Sequence, residues 1–280
     1  MKVVLITGAS RGIGLATAKT LSEKGYKVYG TIRNGTPVMP LNKNLNFEVL
    51  DVTDSLSIQQ IVSKIIQKEG RIDVLINNAG YGLGGPLEHV DVKEVQEQFD
   101  VNFLGTIRMS QEVLPSMRKQ KSGHIINISS CQGVWGLPYG SIYSASKAAV
   151  EIISEALSIE LLPWNINVSI IEPGHVTTKF SVKMGSRKPD DSYQKIVAKF
   201  EKAQNQKNEN PESIGPGQSA EEVAEFILQV LEDPKPKLRY QTSLQSQEMV
   251  SLKLKDLDGK EYFEKTKEFF YQKIVNTEDK

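Results

Sequence analysis

The chain has 280 residues, enough for one large domain or one domain with an appendage, and short for two full domains. Lys+Arg is 34 and Asp+Glu is 34, so the net charge is +0, which argues against a nucleic-acid binder held by bulk phosphate attraction. Hydrophobic residues make up 39%, too many for a disordered chain, and the single cysteine, Cys131, excludes an intrachain disulfide or multi-cysteine zinc site and fits a reducing, cytoplasmic setting.

The chain opens on a short apolar run, Val3–Ile6, β-branched and bounded by Thr7-Gly8. That pattern predicts a buried strand, too short for a signal peptide or for the ~20 apolar residues of a membrane span. Residues 13–24 have helical spacing at Ile13, Ala16, Thr17 and Leu21, with Gly25 as the stop. Strands are predicted at Lys27–Ile32 and 47–52. Thr53-Asp54-Ser55 caps a helix to residue 68, with Ile58, Ile61, Val62, Ile65 and Ile66 on one face. A strand at 74–76, a long helix over 92–118, a strand at Gly123–Ile128, a helix over 143–162 and a strand at 167–172 complete the alternation. Alternation with continuous apolar strands predicts an α/β fold, a doubly wound parallel sheet with helices on both faces. After Pro173 the chain becomes polar, and 180–217 carries Pro189, Pro211 and Pro216. A helix over 220–231 capped by Ser219 follows. A last helix over 247–275 has a greasy face at Tyr262, Phe263, Phe269, Phe270 and Ile274. That face suits packing on its own domain, a dimer contact or a membrane surface.

Thr7-Gly8-Ala9-Ser10-Arg11-Gly12-Ile13-Gly14 sits at the first strand-to-helix junction. Glycines let the backbone approach a pyrophosphate, and a helix N-terminus offers free N–H groups to it. In NAD-binding Rossmann units a carboxylate near the end of the second strand bonds the ribose 2′-hydroxyl. Here Arg33 stands in that place, with Arg11 in the loop. Two guanidiniums suit a 2′-phosphate, so NADP is expected rather than NAD. Asp51-Val52 is then free to bond the adenine.

Tyr143 and Lys147 are four apart in a predicted helix and share one face. An ammonium beside a phenol favours phenolate, so Lys147 is expected to lower the Tyr143 pKa and make it a usable acid and base. Ser130, at a strand end, can hold a substrate carbonyl. His89, His124 and His175 do not have ligand spacing, and no metal is expected.

Together these motifs resemble the short-chain dehydrogenase/reductase family in its Tyr-x-x-x-Lys form. The pieces stand in family order from residue 3 to about 178: Gly8-x-x-x-Gly12-x-Gly14, Asp51-Val52, Asn77-Asn78-Ala79-Gly80, Asn102, Ser130, Tyr143-x-x-x-Lys147 and Pro173-Gly174-x-Val176-x-Thr178. The resemblance implies that Tyr143 moves the proton, that Lys147 also bonds the nicotinamide ribose, and that Ser130 holds the carbonyl oxygen. It implies that Asn102 fixes a relay water, that Asn78, Ala79 and Gly80 lie along the ribose, and that Val176 and Thr178 bond the nicotinamide amide. Trp135, Tyr139 and His175 are placed where the family lines its substrate cleft, and Cys131 is expected to be a buried, inert thiol.

The stretch Val28–Asn34, Gly136-Leu137-Pro138 and the long tail with Leu238-Arg239-Tyr240 resemble the branch of 17β-hydroxysteroid and retinol dehydrogenases. This implies a lipophilic ketone or alcohol. Residues 1–178 would be the dinucleotide-binding and catalytic core of one domain, and 179–280 its lid and C-terminal helices. A 3-oxoacyl-thioester reductase suits the first 178 residues equally, and the long tail argues against it. A non-catalytic NADP sensor could dispense with the tyrosine and lysine, both present here. The helices over 92–118 and 143–162 pair subunits in relatives, so a homodimer or homotetramer is expected.

Overall fold

The structure is a computed structural model and describes residues 1–35, 42–178, 180, 182–187, 193–194 and 217–268. The central sheet contains β1 (Val3–Ile6), β2 (Lys27–Ile32), β3 (Leu45–Val49), β4 (Val74–Asn77), β6 (Gly123–Ile128), β7 (Ile166–Glu172) and β11 (Arg239–Gln241). All pairings are parallel, in the order β11-β7-β6-β4-β1-β2-β3. The chain runs outward from β1 to β3, then crosses back to β4 and runs the other way. That reversal between β1 and β4 opens a crevice at the carboxyl ends of the strands.

Alternate residues of each strand face opposite layers. Val4, Ile6 and Val28 pack with α1 (Gly12–Glu23) and α7 (Ala220–Glu232), burying Ala18, Leu21, Val223 and Ile227. Val3 and Leu5 face the other way, with α2 (Ser55–Glu69) and α4 (Gly105–Gln120), burying Ile58, Val62, Met109 and Val113. Burial of each such side chain contributes about 1.5–3 kcal/mol. α6 (Ser141–Glu160) covers this second face beside β7. Helix starts follow local chemistry: Asp54 caps α2, and Ser219 with Glu222 forms a capping box on α7.

Several elements differ from the sequence expectations. β3 starts and ends earlier than 47–52, because its partner β2 ends at Ile32 and the chain turns where Asp51 O accepts from Asp54 N. The helix over 92–118 is three pieces: α3 (Val92–Phe99), a π-helical turn at Asp100–Leu104, and α4. Gly105 lets this wide turn approach Val52, where a Cβ would stand 2.8 Å from Val52 Cγ2. The expected helix over 247–275 is instead α8 (Leu244–Ser251) and α9 (Lys260–Lys267). Between them Gly259 is left-handed (φ +72°), and Leu257 O accepts from Gln241 Nε2 while Asp258 O accepts from Arg239 N. Satisfying β11 breaks the helix. Phe269, Phe270 and Ile274 lie outside the described residues, as does most of the expected lid, including Pro189, Pro211 and Pro216.

Five short pieces had no sequence signature. β5 (Gly82–Gly84) pairs with β9 (Val182–Met184), β8 (Val176–Thr177) pairs with β10 (Gln218–Ser219), and Cys131–Val134 forms one helical turn, α5. Among the described residues, no helix is long and apolar enough to cross a membrane.

Candidate active site

The sheet is parallel, so the loops after β1, β2, β3, β4, β6 and β7 emerge at one edge. They carry, in turn, residues 8–14, Arg33, Asp51, 78–80, Ser130 and 173–178. Nearly every sequence-predicted site residue lies on this edge or on α6 beside it.

The loop after β1 is shaped by close backbone approach. Gly8 is left-handed (φ +69°), and a Cβ there would meet Ala79 Cα at 2.8 Å. A Cβ at Gly14 would overlap Asn78 Nδ2 and stand 2.5 Å from Gly8 O. Arg11 sits at the N-cap of α1 without a side-chain cap, so the first amides of the helix point out of the loop. These features fit a pyrophosphate: a concave backbone, no Cβ in the way and unpaired donors. Arg11, Gly12, Lys19, Thr178 and Glu221 line an open depression of about 460 Å³ next to it. Arg11 and Arg33 are both exposed at this edge, and β2 ends without a carboxylate.

Two expectations here change. Asn78 does not reach outward, because its Nδ2 donates to Thr7 O and Gly8 O at 2.9 Å each, bracing the loop from beneath. Asp51 is partly engaged: its Oδ1 accepts from Thr53 N at 2.9 Å and from Thr53 Oγ1 at 2.8 Å. Local turn closure competes with any contact to adenine. Val52 is buried under Gly105.

Ser130 caps α5, its Oγ accepting from Gln132 N at 3.2 Å. Its hydroxyl also bonds the Tyr143 side chain. Lys147 is buried, donates from Nζ to Ile128 O at 2.7 Å, and lies 5.8 Å from the Tyr143 ring centre. Gly80 lies against Lys147 and Asn102: a Cβ there would stand 3.1 Å from Asn102 Oδ1 and 3.8 Å from Lys147 Nζ. Asn102 occupies the π-helical turn. Its Nδ2 donates to Tyr81 O at 3.0 Å and Ser146 Oγ at 3.1 Å, while Oδ1 accepts from Tyr81 N at 3.1 Å. Both amide protons are used, so this side chain has none left for a water.

The expected lowering of the Tyr143 pKa is corrected. Burial pushes the phenol above its ordinary value, and the Ser130 hydrogen bond only tempers the rise. Lys147 is spent on Ile128 rather than aimed at the phenol. Burial also lowers Lys147 to about 8, against the charge of Glu151. Near neutral pH, Tyr143 therefore carries its proton and Lys147 is predominantly an ammonium.

Around this centre, Trp135 is half-buried and donates from its backbone N to Cys131 O. Tyr139 is left-handed (φ +59°), and its carbonyl accepts from Gly85 N at 2.8 Å. His175 O accepts from Gln218 N, and its N donates to Gln245 Oε1 at 3.4 Å, so it stands against the returning strand. Pro173 O accepts from Cys131 N; Gly174 and Val176 follow it on the way to β8. A Cβ at Gly12 would meet Thr178 at 3.4 Å. Cys131 is buried against Met249, its thiol pushed up to about 11 by burial.

Sequence reasoning missed Phe180. Its ring meets Tyr143 edge-on, 5.8 Å between centres, at the start of the segment whose β9 strand pairs with β5. Lys183, on β9, lies 4.9 Å over the Tyr81 ring. No signal in Gly82-Leu83-Gly84 marks a strand. Sequence reasoning also missed the buried charges Glu151, Glu172 and Arg239. Glu151 could have been found, since it stands one further helical step beyond Lys147.

Comparison with known proteins identifies the family. A family model for short chain dehydrogenases matches residues 2–189. Human retinol dehydrogenase 8 is 34% identical over 298 residues, covering 97% of this chain and 91% of that protein. Human 17-beta-hydroxysteroid dehydrogenase type 1 is 36% identical, with 93% and 83% covered. A 3-ketodihydrosphingosine reductase of Bacteroides thetaiotaomicron is 51% identical over 180 residues, 64% of this chain and 66% of that protein. Among solved structures, a short-chain dehydrogenase from Streptomyces avermitilis superposes with a TM-score of 0.79 at 28% identity, with both chains fully covered. A serine dehydrogenase complexed with NADP+ superposes at 0.73 and 30% identity, with 85% and 93% covered. The chain therefore belongs to the short-chain dehydrogenase/reductase family and is an oxidoreductase acting on CH–OH groups.

Proposed function

We propose that this protein is a single-domain enzyme that interconverts a lipophilic ketone and its alcohol with NADP, and that Tyr143 is the acid and base. The observation that carries this reading is the meeting of Ser130, Tyr143 and Lys147 beside the glycine loop, at one edge of the sheet. A bound nicotinamide dinucleotide would supply or accept the hydride. The loop over 8–14 would hold its pyrophosphate, and residues 173–178 would run along its nicotinamide end. Ser130 orients the carbonyl oxygen towards the Tyr143 hydroxyl. Tyr143, kept in its protonated form by burial, donates to that oxygen. Lys147, 5.8 Å from the ring centre and bonded to Ile128 O, favours the phenolate left behind through its charge rather than through a direct bond. Asn102 acts on this centre by fixing the Tyr81 backbone and Ser146.

NADP is favoured by the absent carboxylate after β2, by Arg11 and Arg33, and by the NADP+ bound to the serine dehydrogenase relative. A charge-assisted contact to phosphate is worth about 1.5–3 kcal/mol, so Arg33→Ser should weaken NADPH binding roughly ten- to a hundredfold and leave NADH unchanged. Equal wild-type affinities for NADPH and NADH would end the NADP assignment.

The lipophilic substrate is favoured by relatives named for retinol and for a 17-beta-hydroxysteroid, which align over more than nine-tenths of this chain. A second reading, a long-chain 3-ketone, draws on the 51% identity to the 3-ketodihydrosphingosine reductase. A panel of steroid, retinoid, long-chain 3-keto, acyl-thioester and sugar-like compounds with NADPH separates them. Turnover confined to small polar compounds would overturn both. Leu104 and Ile152 leave apolar surface exposed on the helices expected to pair subunits. A sedimentation run showing only monomer would remove that assembly.

A further inference from the structure

The charges on the Tyr143 helix do not stop at Lys147. Tyr143, Lys147, Glu151 and Glu155 follow one another at four-residue steps on α6 and share one face. Glu151 is 2% exposed, and from the sheet it meets Glu172 of β7 and Arg239 of β11, 0% and 5% exposed. Arg239 Nη1 donates to Glu151 Oε2 at 2.5 Å and to Glu172 Oε1 at 2.5 Å, so two carboxyl groups crowd onto one nitrogen. Arg239 Nη2 pairs with Glu155. Gln241 Nε2 donates to Glu172 Oε2 at 2.5 Å. On another side Gly133 closes over the group: a Cβ there would stand 3.0 Å from Glu151 Cγ.

The charge count is uneven. Three carboxylates, the partly exposed Glu155 among them, stand around Arg239 and Lys147 and would leave one net negative charge on the group. Uncompensated buried charge costs several kcal/mol, and like charges at contact cannot both ionise. One retained proton brings the count to zero. Burial, then the Glu172 charge, raise the Glu151 carboxyl well above its ordinary range, with Arg239 opposing. The other groups facing this pair are Lys147 and Glu155 on α6 and the protonated Cys131 thiol on α5.

We propose that Glu151 and Glu172 share one proton beneath Arg239, and that the negative charge left on the pair is the buried counter-charge that holds Lys147 as an ammonium. Glu151 and Glu172 are then positioning residues acting through Lys147, and this part rests on the reading of Lys147 given above. The segments joined by the pair are those that carry the site: α6, the Ser130 turn and the strand end before Pro173.

The test uses Glu151→Gln, Glu172→Gln and the double variant. Each single change removes the shared proton but leaves one negative charge, whereas the double change leaves none. The infrared spectrum of the wild-type protein at pH 7–8 should show the C=O stretch of a buried protonated carboxyl, absent from both single variants. In the pH profile of kcat/KM, the limb due to Lys147 should hold its position in each single variant, whatever happens to kcat. It should fall by about one pH unit in the double variant. A wild-type spectrum without the band overturns the shared proton. A limb that falls in either single variant overturns the counter-charge, even if the double variant fails to fold. If no carbonyl compound is reduced, the functional reading fails, while the infrared band still decides the shared proton.

Discussion

The two halves of the sheet are built differently. The β1-β2-β3 half buries mostly apolar side chains, with Thr31 and Tyr29, whose hydroxyl donates to Glu69 Oε1 at 2.5 Å, as its polar exceptions, and its working parts are backbone: left-handed Gly8, the Gly14 contact on Asn78 and the amides heading α1. The β6-β7-β11 half buries His124, Asn127, Ser169, Glu172, Arg239 and Gln241, and Tyr143 and Lys147 stand over it. One half presents a shape to a ligand. The other sustains buried titratable groups, whose protonation sets what the site can do. Recognition in the first should therefore be insensitive to pH and intolerant of added atoms, and stability in the second should follow pH.

The largest expected effect lies in the second half. His124 is buried with Nε2 2.9 Å from Ser169 Oγ, and burial lowers it from 6.5 to about 4. The fold prefers the neutral ring, so its contribution is complete above pH 6.5 and is lost as pH falls through 4. The difference is worth about 3 kcal/mol. His124→Asn should lose less stability than the wild type between pH 6.5 and 4, as read by denaturant midpoints. Parallel pH curves for the two proteins would break the contrast between the halves.

Next in size is Gly14→Ala. The new methyl overlaps Asn78 and meets Gly8 O, and such overpacking costs about 1–3 kcal/mol. Thermal melts should show the loss with the same size at pH 6 and pH 8, and NADPH affinity should fall with it. An unaffected melt and affinity would mean that the loop is not held by shape. The smallest effect belongs to Phe180→Ala. Losing an edge-on ring contact of about 0.5–1.5 kcal/mol should raise KM for a bulky ketone roughly two- to tenfold, with cofactor affinity unchanged. An unchanged KM would detach Phe180 from the substrate.

The same division governed what could be read from the sequence. Gly8, Gly12 and Gly14, and Tyr143 with Lys147, announce themselves by spacing, because loop and helix geometry are local. The alternation that gave β1, β2, β4, β6 and β7 is local too. Nothing in Asp100–Leu104 marks a π-helical turn, because apolar spacing continues through it and the cause is the approach of Gly105 to Val52. Arg239–Gln241 is polar and three residues long, and what holds it as a strand is distant in sequence: backbone pairing with β7 and side-chain contacts to Glu151 and Glu172. The Tyr143 pKa took the opposite direction from its sequence expectation for a similar reason. Spacing shows that Lys147 is near, but not that its ammonium bonds Ile128 or that burial outweighs it.

The central claim is that Tyr143 moves the proton at a site otherwise complete without its hydroxyl. Tyr143→Phe keeps the ring against Phe180 and removes only that oxygen. NADPH binding and turnover of the best ketone should be measured on the same preparation. The account expects a dissociation constant close to wild type and turnover lower by about 10²–10⁴. Turnover near the wild-type rate would contradict it.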